Sequence, residues 1–114
     1  MAITTTWSVT DMTHVDADGG VIKAYWSCTA NSGTDPAYTA VEGGKLICTY
    51  DASASGFIKY ADLKESDVLG WIYDSIKEDG ETAAQAKKRV EDNRKARVQG
   101  QIDRAATQAG GVPW

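Results

Sequence analysis

The sequence predicts an α+β fold: an N-terminal antiparallel sheet of three to four strands packed against a helix, then a longer, charged C-terminal helix and an extended tail. Three observations carry this expectation. Apolar and polar residues alternate with period 2 in the first half of the chain, and they recur at helical spacing after residue 57. From Thr82 a capping box opens a proline-free run that continues to about Ala106. With 114 residues the chain reads as a single domain, divided into sheet (1–50), first helical segment (57–77), second helix (81–107) and tail (108–114).

The first strand places Ile3, Thr5, Trp7 and Val9 on one face and Thr4, Thr6, Ser8 and Thr10 on the other, using residue types that favour strands. HVDADGG, His14 to Gly20, supplies a turn. In the second strand, Val21 to Ala30, the apolar phase is Ile22, Ala24, Trp26 and Cys28, opposite Lys23, Tyr25, Ser27 and Thr29. NSGTDP, with a stop at Pro36, joins it to a third stretch from about Tyr38 to Tyr50. Gly43 and Gly44 interrupt that stretch, and paired glycines mark a bulge or a sharp bend, so one bent strand is preferred over two short strands in a hairpin. Such a sheet, apolar on one face, requires a cover.

The cover begins after the DASASG loop. Val68, Trp71, Ile72 and Ile76 recur at helical spacing, and Leu63 stands five residues before Val68 as a hydrophobic staple does. Asp62 with Glu65 offers a helix start one turn earlier; Glu78, Asp79 and Gly80 end the helix. The second helix has a thin apolar stripe of Ala83, Ala86, Val90, Val98, Ile102 and Ala105. Helix propensity and charge pairs such as Glu91 with Lys95 are expected to support it, each pair contributing a few tenths of a kcal/mol. It therefore packs along part of its length and projects, or it packs on another chain.

Composition argues against several function classes. No stretch approaches the roughly 20 apolar residues needed to span a bilayer, and the opening MAITTTWSVT lacks a basic segment followed by an apolar run, so neither membrane insertion nor secretion is expected. Residues 1–80 carry 5 Lys/Arg against 12 Asp/Glu, a balance of −7, and residues 81–114 carry 7 against 4, a balance of +3. Opposed poles suit head-to-tail stacking or docking on a partner of mixed charge. Glu91, Asp92 and Asp103 dilute the basic part too far for nucleic acid to be expected.

Cys28 and Cys48 lie in strand-like stretches without C-x-x-C spacing and read as small buried hydrophobes. Asp11, His14, Asp16 and Asp18 are the densest polar cluster, yet Val21 stands where an EF-hand needs glycine, so the cluster reads as a solvated turn and no metal or cofactor is expected. His14 is the only histidine, no G-x-S-x-G elbow is present, and Gly43-Gly44-Lys45 is too short for a phosphate loop; an enzyme is not expected. Lys87, Lys88, Arg89, Arg94, Lys95 and Arg97 spread around the second helix, as on a solvated surface, with docking on an acidic partner as the functional alternative. Trp7, Trp26 and Trp71 fall in the apolar phase of their elements and belong to the core. Trp114 does not. Gly110 and Gly111 end the helix, Pro113 holds Val112 extended, and the indole tethers the segment in a pocket of its own chain or of a neighbour.

W-S-V-T-D-M near the start, the Asp-Gly turn leading into V-I-K-A-Y-W, F-I-K-Y-A-D-L followed by D-V-L-G-W-I, and the final G-V-P-W together resemble a family of small proteins encoded by tailed bacteriophages, notably cyanophages. The similarity covers nearly the whole chain. Relatives often carry threonine at position 64 and proline at position 59, where this chain has Lys64 and Lys59. The resemblance implies a virion component or assembly protein, present in the virion after synthesis in the host cytoplasm, with other phage structural proteins and copies of itself as partners. It carries over no functional residues; the candidate partner-binding residues come from the tail and the basic helix themselves, Val112, Pro113 and Trp114 with Lys88, Arg94 and Arg97. A non-virion phage protein, acting as assembly chaperone or host-factor binder, is the alternative.

Overall fold

The computed structural model describes residues 3–108 and has the α+β architecture expected from the sequence. Strands β1 (Thr4–His14), β2 (Val21–Asn31) and β3 (Thr39–Ile47) form one antiparallel sheet in the order β1-β2-β3. Helix α1 spans Glu65–Ser75 and helix α2 spans Ala83–Thr107. Both helices lie on one face of the sheet, α2 across β2 and β3 and α1 over β1 and against α2. On the uncovered face Val41 and Ile47 stand 58% and 63% exposed.

The alternation in β1 holds as far as Val9 and then changes phase. Val9 pairs with Trp26 and Asp11 with Tyr25, leaving Thr10 as an extra residue in a bulge. A bulge of one residue moves the following side chains to the other face, so Met12 packs against the core while Asp11 is exposed. A second irregularity, between Thr13 and His14, does the same in β2: Val21 is buried, and Ile22, expected inside, is 39% exposed.

The bend expected at Gly43 and Gly44 is absent. β3 runs through both residues in unbroken register with Ser27 and Trp26. The glycine serves a steric purpose instead, since a Cβ at position 44 would lie 2.6 Å from Cζ2 of Trp26. Gly44 is the seat of that indole.

The first helical segment is also shorter than 57–77. A single 3-10 turn at Tyr60–Asp62 precedes α1. The start is fixed at Lys64, whose backbone N–H donates to the Asp67 carboxylate at 3.0 Å. A lysine side chain has no acceptor, so Asp67 satisfies this end alone, and Leu63 and Val68 occupy the two positions of a hydrophobic staple. The pairing of Asp62 with Glu65 plays no part. Glu65 instead accepts the N–H of Val9 at 3.0 Å, covering an open edge group of β1 beside its bulge.

Helix α2 begins as its sequence indicates: Thr82 Oγ1 accepts from Gln85 N at 3.1 Å, and Gln85 Oε1 accepts from Thr82 N at 2.9 Å. Its role is larger than its thin stripe suggests. Ala86, Val90 and Val98 are all buried and make α2 the principal cover of the sheet. Small side chains suffice because the opposing strands supply the bulk. Trp7, Trp26, Cys28, Val68, Ile72 and Val90 form the core, with the Trp7 and Trp26 rings 5.4 Å apart and Tyr73 edge-on to Trp7 at 5.0 Å. Glu91 does not pair with Lys95. It accepts from the indole Nε1 of Trp7 at 2.9 Å and holds Lys87 at 3.2 Å, giving a buried N–H the acceptor it requires.

Candidate functional site

The polar turn is occupied with holding the chain together. Asp18 accepts from Gly20 N at 3.0 Å and from the Tyr50 hydroxyl at 2.9 and 3.1 Å. His14 stacks on Tyr60 at 3.8 Å with the rings nearly parallel, and Tyr60 N donates to Gly19 O at 2.7 Å. Asp11 accepts from the next residue's N–H. Among the described residues no group of three or more His, Cys, Asp or Glu is arranged to hold a metal ion. Asp18, through Tyr50, and His14, through Tyr60, anchor the segment after β3 to the β1–β2 turn.

Neither cysteine is an activated nucleophile. Burial, reinforced by the Glu91 and Glu42 carboxylates, pushes the Cys28 thiol up to about 11, and burial also raises Cys48. Both therefore hold their protons at neutral pH.

The basic residues proposed as a docking set separate into different environments. Lys88 is paired with Asp92 at 2.6 Å on the exposed side of α2. Arg94 is turned inward: its side chain is 17% exposed, its Nη2 lies 3.8 Å from Glu42 of β3, and its buried Nε has no hydrogen-bond partner among the described residues. Arg97 is exposed. Arg89 joins the helices, with Nε 2.9 Å from Glu78 and 3.0 Å from Glu81, and Nη2 donating to Ile76 O at 2.9 Å. Of the three named candidates only Lys88 and Arg97 remain open to a partner. Val112, Pro113 and Trp114 lie outside the described residues.

A feature that the linear sequence did not show is a groove at the far end of the sheet. Val21, Leu46 and Cys48 form part of its floor; Gly70 and Trp71 of α1 form one wall, and Tyr50, Phe57 and Ile58 form the other. Its volume is about 620 Å³, within the roughly 300–1,000 Å³ typical of ligand sites. Tyr50 sets its wall: the ring packs so closely on Gly20 that no Cβ fits there, its hydroxyl is tied to Asp18, and Phe57 lies 5.7 Å from it. Trp71, expected in the core, packs against it as a part-buried residue and also lines this groove. Its one periodic signal was the helical spacing with Val68 and Ile72, which places it near the core without saying how far the neighbouring loop stands away.

The groove and the end of α2 join the uncovered sheet face among the open surfaces of the described residues. A single family model spans nearly the whole chain, matching residues 2–114. The chain belongs to the family described as a domain of unknown function, DUF7936. No curated protein and no solved structure matches it. Membership in DUF7936 brings no activity with it, so a functional reading must come from these surfaces and from the phage resemblance.

Proposed function

We propose that the chain is a non-enzymatic structural or accessory component of a tailed-phage virion that binds neighbouring subunits, including copies of itself, through the end of α2 and the tail. The structural observation behind this reading is the way α2 leaves its own core. Val98 is buried, Gln101 donates to Thr39 O at 2.8 Å at the start of β3, and Asp103 to Thr107 are all exposed. A helix that keeps its form beyond its last buried residue presents its free end to another surface. The phage resemblance supplies the setting, and the opposed charge of the two parts of the chain suits a symmetric assembly.

Mass spectrometry of purified particles of the phage that carries the gene tests this directly. The expected result is stoichiometric copies in the particle. Absence from particles, with the chain abundant in the infected cell, would transfer the proposal to an assembly chaperone or host-factor binder.

A further inference from the structure

We propose that the groove between α1 and the segment after β3 receives Val112-Pro113-Trp114 of a second copy, so that copies join head to tail. The inference rests on the reading above that the chain self-assembles through its tail. It adds the receiving surface and excludes that groove as the tail's site within one chain.

The exclusion is geometric. Arg94 lies by Glu42 and Gln101 by Thr39, so α2 runs antiparallel to β3, away from the groove at the other end of that strand. From Thr39 to Leu46 is about 23 Å at ~3.3 Å per strand residue. From Gln101 to Gln108 α2 and its cap add about 10 Å in the opposite direction, at ~1.5 Å per helical residue. The start of the tail is thus about 33 Å from the groove, whereas the six steps from Gln108 to Trp114 span at most about 22 Å fully extended. The remaining ~10 Å exceeds an indole side chain's reach. A second copy has no such limit.

The chemistry matches the occupant. Val-Pro-Trp is an apolar sequence, and proline next to an aromatic docks well on grooves walled by aromatic rings, here Trp71, Tyr50 and Phe57. Asp51 puts a carboxylate on the rim of the groove, Asp74 beside it being paired with Lys77 at 2.7 Å, and exposed Arg97 and Arg104 give the arm that delivers the tail a positive character. The same division holds for the whole chain, −7 over residues 1–80 and +3 over residues 81–114. An interface between two different surfaces of one chain is heterologous and builds a ring or a filament.

Sedimentation velocity over a concentration series on three full-length proteins tests the proposal: wild type, Trp114→Ala and Gly70→Leu. Gly70 lines the groove within α1, and a Cβ there meets no atom within 4 Å, so leucine is accommodated without a clash and projects its isobutyl group at the groove's mouth. Wild type is expected to self-associate and both variants to stay monomeric. Mixing the variants should restore pairs only, because one supplies the tail and the other the groove. Cys48 lines the groove and Cys28 is fully buried, so labelling by a thiol reagent should slow at least several-fold on association. Loss of association in Trp114→Ala alone, with Gly70→Leu assembling normally and Cys48 equally reactive throughout, would overturn the groove while leaving tail-mediated assembly intact. A wild type that is monomeric at every concentration would overturn both. So would a Trp114→Ala variant whose only change is a lower monomer melting temperature.

Discussion

Trp7 and Trp71 sit at opposite ends of one packing layer and have come to different ends. Around Trp7 every demand is met: Trp26 and Tyr73 pack on the ring, and Glu91 accepts its N–H, leaving the residue 9% exposed. Trp71 packs against the rim of the same core, but β3 ends at Ile47 and the following segment is held by Tyr50, so its other side becomes the wall of an open groove. An aromatic in the correct helical phase is therefore core only where a second element closes over it. Where none does, the exposed apolar wall is a surface for something else.

Breaking the closed end should cost most. Trp7→Ala removes a large buried ring and leaves Glu91 without its indole partner, with an expected loss of about 3–5 kcal/mol in urea unfolding. Gly44→Ala removes no atom around Trp7 but drives a methyl into the Trp26 indole that packs on it, and about 1–3 kcal/mol should be lost through overpacking. Glu91→Ala should cost about 1–2 kcal/mol, and Glu91→Gln less, since the amide oxygen still accepts from the indole. Equal losses for the two Glu91 variants would mean that the Lys87 ion pair, and not the indole hydrogen bond, is the stabilising element.

The junction of the helices should respond to pH. The hydrogen bond from Arg89 lowers the Glu81 carboxyl below its ordinary 4.5. A depressed folded-state value stabilises the fold above the unfolded value and is lost as pH falls through the folded one. Unfolding midpoints measured between pH 6 and pH 3 should decline on the acid side, and Glu81→Gln should flatten that decline. An unchanged acid limb in the variant would remove Glu81 from the account.

Most of the framework was legible because it depends on local periodicity and capping. The β1 and β2 alternation, the Leu63–Val68 staple and the Thr82–Gln85 box each identify an element from residues close together in the chain. What escaped was set by distant partners. The bulge at Thr10 is a matter of register with β2. The Gly43-Gly44 pair resembled a bend, yet Gly44 is explained only by Trp26 on the neighbouring strand. Helix α2 looked too poor in apolar residues to cover a sheet, and only the bulk of Trp7 and Trp26 opposite makes Ala86 and Val90 sufficient. The groove was invisible for the same reason, as its two walls and floor come from three separate segments. The basic residues were legible as a group but not individually. Arg94 faces Glu42 while Arg97, three residues on, faces solvent.

The central claim is that the open end is an interface and the closed end is the core, and Trp71→Ala separates the two most directly. Part-buried against the rim of the core, Trp71 should contribute about 2 kcal/mol to the dissociated monomer, less than Trp7. Sedimentation velocity of Trp71→Ala at concentrations where wild type assembles should therefore find a folded monomer. Assembly indistinguishable from wild type would contradict the account.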